Sequence, residues 1–377
     1  MNWKSLVTGG IVAATMVGAA SAETTVKVGV VLGLSGPPAI VDFGESYLQG
    51  IKLALKDYEA KGGKTRVELV VYDDEANPQR AVSVVERLVK NDGAVGVIGT
   101  VSSGNVMAFA PLLQRAGVPL IAGPAAATDI TSKFIDQKPS YVFRCSMIEK
   151  YQINAILDWA VKHYKKIGLL HSTTGYGSFA AKEIVAGLDA RGVRLAAVEA
   201  AAPGMNDLTP QMIKMRDAGV ELILHFYESF ELPYRPLARL DYKPTFAGNW
   251  GLSSLKVRDI VGVDAIEGTA MGQALDLSQP KTAAFDARMT ATYGKDYRWP
   301  VVAALGYDAG QIMFKAVDRV GKADPALVRD AIESIDGIEA VSATPAKPFG
   351  PTDHECLGDG DVFLGVWNHG TVVPVGK

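Results

Sequence analysis

VGVIGTVSSGNVMAFAPLLQRAGVPLIAGPAAAT, residues 95–128, contains a complete structural unit. Residues 95–98 are apolar and run into Gly99, as a short buried strand does. Residues 105–115 carry apolar side chains at helical spacing and stop at Gly117, a residue suited to the left-handed turn that ends a helix. Residues 119–122 are apolar again. Strand, helix and strand, with no alternation in the strands, predict a parallel sheet covered on both faces.

The rhythm extends outward on both sides. Strands are expected at 26–32, 67–72 and 141–144, and helices at 47–60 and 80–90, ending near Gly62 and Gly93. After Ser146 the pattern restarts. Helices at 152–164, 179–190, 209–217 and 232–240 alternate with strands at 167–171, 194–198, 221–226 and 245–248. A strand at 268–274 precedes a block of helices at 282–293, 301–320 and 325–335. Residues 361–375 are β-rich, and Pro345, Pro348 and Pro351 mark an extended connector before them. The expected fold class is α/β: two doubly wound parallel-sheet lobes joined by three crossings, near residues 146, 274 and 348. The first lobe takes 23–145 plus 275–347, the second 146–274 plus 348–377.

The first 22 residues, MNWKSLVTGGIVAATMVGAASA, read as a signal peptide. Lys4 supplies the positive end, residues 5–22 carry no charge, and Ala20-Ser21-Ala22 suits a signal peptidase. A membrane anchor is the weaker reading of so short a Gly- and Ala-rich segment. The 377-residue chain is too long for one ordinary core. With 48% hydrophobic and 21% charged residues it is expected to fold and stay soluble. A net charge of -3 without a basic cluster argues against nucleic acid as a partner. Cys145 and Cys356 pair or stay free with equal weight. Two cysteines and five scattered histidines predict no metal site, and no cofactor is expected.

In open parallel sheets, ligands bind beyond the carboxyl ends of strands. The loops after the strands are therefore the candidates. Gly33 to Pro38 forms a shaped turn. Gly99 to Asn105 opens a helix with Ser102 and Ser103 beside unpaired backbone N–H groups. Such a start serves equally as a carboxylate site or as an ordinary helix cap. Gly123 to Asp129 offers Ala125, Ala126 and Ala127 for close backbone approach and Thr128 as a hydroxyl. In the second half Tyr176 lies between two glycines and reads as an aromatic at a loop tip. Tyr227 and Glu228 follow the strand at 221–226, and Asn249 and Trp250 follow that at 245–248. Asp73-Asp74-Glu75 lacks a calcium-hand pattern and reads as a solvated strand end. No nucleophile elbow, zinc helix or Cys–His pair supports a reaction, so no enzyme is expected.

The chain resembles the type I periplasmic solute-binding proteins of ABC importers, in particular the leucine/isoleucine/valine-binding group. The resemblance rests on VKVGVVLGLSGP (26–37), YLQGIKLAL (47–55), VVYDDEANPQRAV (70–82), VGVIGTVSSG (95–104), GVPLIAGPAAATDIT (117–131), YVFRCSM (141–147) and GYDAGQIM (306–313). It implies a monomer in the periplasm that clamps one small molecule between its lobes and delivers it to a permease with its ATPase. It also implies that Ser102, Ser103, the backbone of Ala125–Ala127 and Thr128 hold the ligand carboxylate, with Tyr176 facing them. Tyr227, Glu228, Asn249, Trp250 and Tyr307 fall near other contact positions. Members that bind amino acids often place an acid where this chain has Asn249-Trp250. Glu149 and Glu228 are the substitutes for it. The implied ligand is a hydrophobic amino acid or an amine-free aromatic acid, held open here. The alternative is a ligand-sensing binding protein for amides or related small molecules.

Overall fold

A computed structural model describes residues 25–376. The expected signal peptide, residues 1–22, lies outside the described residues. The first half runs β1 (Thr25–Leu32), α1 (Pro38–Ala60), β2 (Arg66–Asp73), α2 (Pro78–Arg87), β3 (Val97–Gly99), α3 (Ser103–Ala116), β4 (Leu120–Ala122) and β5 (Val142–Arg144). It continues with α4 (Glu149–His163), β6 (Ile167–Ser172), α5 (Gly175–Ala190), β7 (Ala197–Ala201), α6 (Thr209–Asp217), β8 (Leu222–Phe226), α7 (Leu237–Leu240) and β9 (Thr245–Gly248). Then follow α8 (Leu255–Val261), α9 (Val263–Ile266), β10 (Ala270–Gln273), α10 (Pro280–Tyr293), α11 (Pro300–Val320), α12 (Pro325–Glu333), β11 (Phe363–Asn368) and β12 (Thr371–Pro374).

The strands form two sheets. The first has the order β2-β1-β3-β4-β5 and is parallel throughout. The second has the order β12-β11-β10-β9-β8-β6-β7. Its β7 to β10 core is parallel, while β11 and β12 add an antiparallel edge. That edge departs from the expectation of a purely parallel second lobe. His369 and Gly370, both at positive φ, form the two-residue turn that makes a hairpin of β11 and β12. Strands of the first sheet such as Val26–Leu32 are buried on both faces because α1 and α11 pack on one side and α2 and α3 on the other. The helices after β10 thus return to the first sheet: Arg288 of α10 pairs with Asp57 of α1 at 2.6 Å.

Several element boundaries differ from expectation, and α1 and β7 show why. Helix α1 starts at Pro38, nine residues before the expected start, because Pro at the first helical position lacks only an N–H that would be unpaired anyway. Strand β7 lies at Ala197–Ala201 instead of 194–198. It is an edge strand rich in alanine, so its burial pattern carries little register information.

The third crossing also moves. Residues 348–357 were expected in the second lobe, yet they pack on the first. Arg144 and Glu355 form a parallel bridge, and Phe143 stacks on His354 with ring centroids 3.9 Å apart. Phe349 contacts the same Phe143 ring at 5.1 Å. The strip therefore extends the first sheet beyond β5, and the chain leaves for β11 only after Cys356.

Candidate functional site

Each sheet has one place where successive connections leave in opposite directions: between β1 and β3 in the first, between β6 and β8 in the second. Loops diverge there, and a crevice opens at the carboxyl ends of the strands. Helices α3 and α5, which begin at these two crevices, pack against each other and bring the two strand ends face to face.

On the first side, Gly99 has φ 139°, and a Cβ there would lie 1.8 Å from the Val31 carbonyl oxygen. Only glycine fits, and the backbone turns sharply into α3. Ser102 is the residue before α3, and its side chain makes no capping hydrogen bond. Ser103 is buried, and its Oγ accepts from the Ala127 N–H at 3.2 Å, which ties the β3 loop to the β4 loop. Ala126 O accepts from the Glu149 N–H at 2.8 Å. Thr128 Oγ1, and both side-chain polar atoms of Asn105, are buried without a hydrogen-bond partner.

Arg144 holds this loop from behind. It is 0% exposed and grips Glu355 with Nε and Nη2, both at 2.6 Å. Its Nη1 donates to the Ala127 carbonyl at 2.5 Å, and Nη2 reaches the Thr128 carbonyl at 3.5 Å. Asp73 and Asp74 do similar work for the β1 and β3 loops. Asp73 accepts from Leu34, Ser35 and Glu75 N–H groups, and Asp74 accepts from Thr100 Oγ1 at 2.6 Å. Asp74 is buried, so this acidic pair is not the solvated strand end expected from sequence. Burial alone would raise the Asp73 carboxyl, but its hydrogen bonds outweigh that and hold it below the usual range.

On the second side, Thr174 caps α5 by accepting from the Gly177 N–H at 3.3 Å. The cap starts the helix at Gly175, so Tyr176 stands in its first turn and not at a loop tip. A Cβ on Gly177 would lie 2.3 Å from Ser172 Oγ, so a glycine there lets α5 start close against β6. Asn249 donates from Nδ2 to the Tyr176 hydroxyl, while its Oδ1 accepts from Gly251 N–H at 2.9 Å. Thr174 Oγ1 donates to Glu228 Oε1 at 2.5 Å.

Glu149, at the first crossing, joins the two sides. It is 1% exposed, and neither carboxylate oxygen has a hydrogen-bond partner. Oε2 of Glu228 and Oε2 of Glu183 are likewise buried and unpartnered. Burial pushes the Glu149 carboxyl well above its usual value. The charges of Glu183 and Glu228 push the same way, with Arg144 offsetting only part. Burial, then Glu149 and Glu228, raise the Tyr176 phenol, against a smaller lowering by Asn249. Glu149 and Glu228 thus gather around the Tyr176 hydroxyl.

The structure thus brings together Ser102, Ser103, Ala125, Ala126, Ala127 and Thr128 on one side with Tyr176, Glu228 and Asn249 on the other. Three expected residues stand apart from that polar cluster. The Tyr227 hydroxyl donates to the Ala202 carbonyl at 2.9 Å, and its side chain belongs to the core. Trp250 packs on Phe43 at 5.5 Å, within an aromatic group that includes Phe230 and Trp299. Tyr307 donates to Asp57 at 2.7 Å near the far end of α1, remote from the strand ends. Glu183 and Asn105 were not anticipated. Glu183 lies seven residues after Tyr176 and Asn105 three after Ser102, helical spacings that place each on its partner's face.

Residues 25–371 match the profile of a family described as periplasmic binding protein. The leucine-, isoleucine-, valine-, threonine- and alanine-binding protein of Pseudomonas aeruginosa is 26% identical over 321 residues, covering 83% of both chains. Leu/Ile/Val-binding protein homolog 3 of Brucella melitensis is 26% identical over 368 residues, covering 96% of both. A periplasmic binding protein type 1 from Bordetella pertussis superposes with a TM-score of 0.80 at 25% identity, covering 94% of this chain and 98% of that one.

Proposed function

Because the chain belongs to the periplasmic binding protein family, we propose that it captures a hydrophobic amino acid between its lobes and hands it to the permease of an ABC importer. The observation that carries this reading is the set of unpartnered carboxylate oxygens on Glu149, Glu183 and Glu228. Buried carboxylates without partners are costly, and an ammonium group offsets that cost best. An amine-free aromatic acid would bring a further carboxylate into this acidic cluster instead. The names of the Pseudomonas and Brucella relatives point to the same class.

The ligand carboxylate docks on the Ser102 and Ser103 hydroxyls, the Ala125–Ala127 backbone and Thr128. Its ammonium faces Glu149 and Glu228, with Tyr176 beside them. Charge-assisted hydrogen bonds contribute roughly 1.5–3 kcal/mol each, and burying an aliphatic side chain about as much. Closure of the lobes about the crossings completes the site. Residues 1–22 direct the chain to the periplasm and are removed there.

Calorimetric titration tests the reading. Leucine, isoleucine, valine and phenylalanine are compared with 4-methylpentanoate and phenylpropanoate, which keep the side chain and lose the amine. At least one amino acid is expected to bind ~10-fold or more tightly than its deamino analogue. Glu149→Gln is expected to weaken it by roughly 30-fold or more. Equal affinity for both members of a pair would overturn the amino-acid assignment.

A further inference from the structure

Cys145 and Cys356 stand 211 positions apart in the chain yet side by side in the fold. Cys145 follows β5 at the root of the first crossing. Cys356 ends the strip that runs beside β5, at the root of the third. The register between them is set by backbone hydrogen bonds. Arg144 N–H donates to the His354 carbonyl and Cys356 N–H donates to the Arg144 carbonyl, both at 2.9 Å. Arg144 therefore opposes Glu355 in a parallel bridge, and the next opposed pair is Cys145 and Cys356.

Paired strands lie about 4.8 Å apart. That spacing falls inside the Cα separation of about 4.4–6.8 Å that a disulfide spans. Opposed residues on paired strands point to the same face, so the two thiols project from neighbouring strands on one side. Both side chains are 0% exposed. They are the only cysteines of the chain, so no other intramolecular pairing competes.

We propose that Cys145 and Cys356 form a disulfide that fastens the 353–357 strip to β5 and so ties together the roots of two interlobe crossings. The bond forms by thiol–disulfide exchange with a donor disulfide, either a thiol oxidoreductase or a small-molecule disulfide. One cysteine, as its thiolate, attacks the donor and releases one donor sulfur as a thiolate. The second cysteine then attacks the mixed disulfide and releases the other. The protein loses two protons and two electrons, and the donor gains them as two thiols. Burial raises the Cys145 thiol in the folded chain and slows the attack there, so exchange takes place while the strip is undocked. The export proposed above supplies an oxidising compartment, but the pairing depends only on local geometry.

The test uses the full chain, unfolded and refolded in oxidised glutathione or in dithiothreitol, and its first readouts do not involve ligand or export. The oxidised protein is expected to be about 2 Da lighter and to show no titratable thiol in denaturant. Its unreduced digest should contain one peptide pair joining Cys145 to Cys356. It should also melt several degrees above the reduced protein, a difference that vanishes in the Cys145→Ser/Cys356→Ser double variant. Two titratable thiols after oxidation, glutathione retained on both cysteines, or a disulfide-linked dimer would overturn the proposal. An oxidised pair in refolded protein together with a reduced pair in protein from the cell leaves the bond standing and counts against export.

Discussion

Tyr176 accepts a hydrogen bond from Asn249 and faces the charges of Glu149 and Glu228. Its hydroxyl therefore keeps a hydrogen to donate within the site. Tyr176→Phe removes that donor and strands the Asn249 amide. We expect ligand affinity to fall roughly 10- to 100-fold, with little change in melting temperature, read by calorimetry and thermal denaturation on the same sample. Ser103→Ala should behave differently, because Ser103 Oγ is committed to the buried Ala127 N–H. There we expect a stability loss of about 1–3 kcal/mol alongside weaker binding, measured by denaturant titration. The position of Ser102 and Ser103 at a helix start was legible because a helix after a buried strand exposes donors whatever the tertiary context. Trp250 was misread for the complementary reason. Its position after β9 is local information, but whether an indole faces a ligand or another ring depends on Phe43, some 200 residues away in the chain.

At the scale of elements, the β4 loop is shaped by a charge pair that no sequence window contains. Arg144 and Glu355 meet only because the 353–357 strip docks beside β5. Proline spacing identified that strip as extended, but a parallel partner more than 200 residues distant leaves no local periodicity to read. Helix stops at Gly117 after α3 and at Gly93 after the π-helical turn Leu88–Asp92 that continues α2 were legible, because left-handed φ values of 67° and 69° favour glycine wherever they occur. Breaking the pair from one side leaves a buried charge uncompensated. Arg144→Met is expected to destabilise the protein by about 3–5 kcal/mol, while Arg144→Met combined with Glu355→Leu should recover most of that loss. Equilibrium denaturation of the wild type, each single variant and the double variant decides this. Additive losses in the double variant would mean that the pair does not act as a unit.

Over the whole molecule, a buried titratable side chain without a charged partner favours its neutral form, which makes stability depend on pH. His225 lies inside β8 at 0% exposure between Phe230 and Phe246, and burial lowers its pKa from 6.5 to about 3. The unfolded chain binds a proton there below 6.5, and the folded chain does so only near 3. Stability associated with His225 is thus intact above 6.5 and falls as the pH drops from 6.5 toward 3. By pH 4 the loss amounts to about 3 kcal/mol. Asp308 works in the opposite direction. Burial raises it to about 6 despite hydrogen bonds from Val341 and Ser342, so its ionised form costs stability above that pH and the cost is relieved as the pH falls toward 3.8. The wild-type acid response is the balance of these two with Glu149, which burial raises, His354, which burial lowers, and the surface carboxylates. His225→Leu removes one contribution to that balance. Between pH 7 and pH 4 the variant should therefore lose markedly less melting temperature than the wild type, and the two profiles should run parallel above pH 7, where the imidazole is neutral in both folded and unfolded chains. Parallel profiles across the entire range would mean that His225 reaches solvent and titrates normally, and that the second sheet is less tightly closed around β8 than its packing indicates.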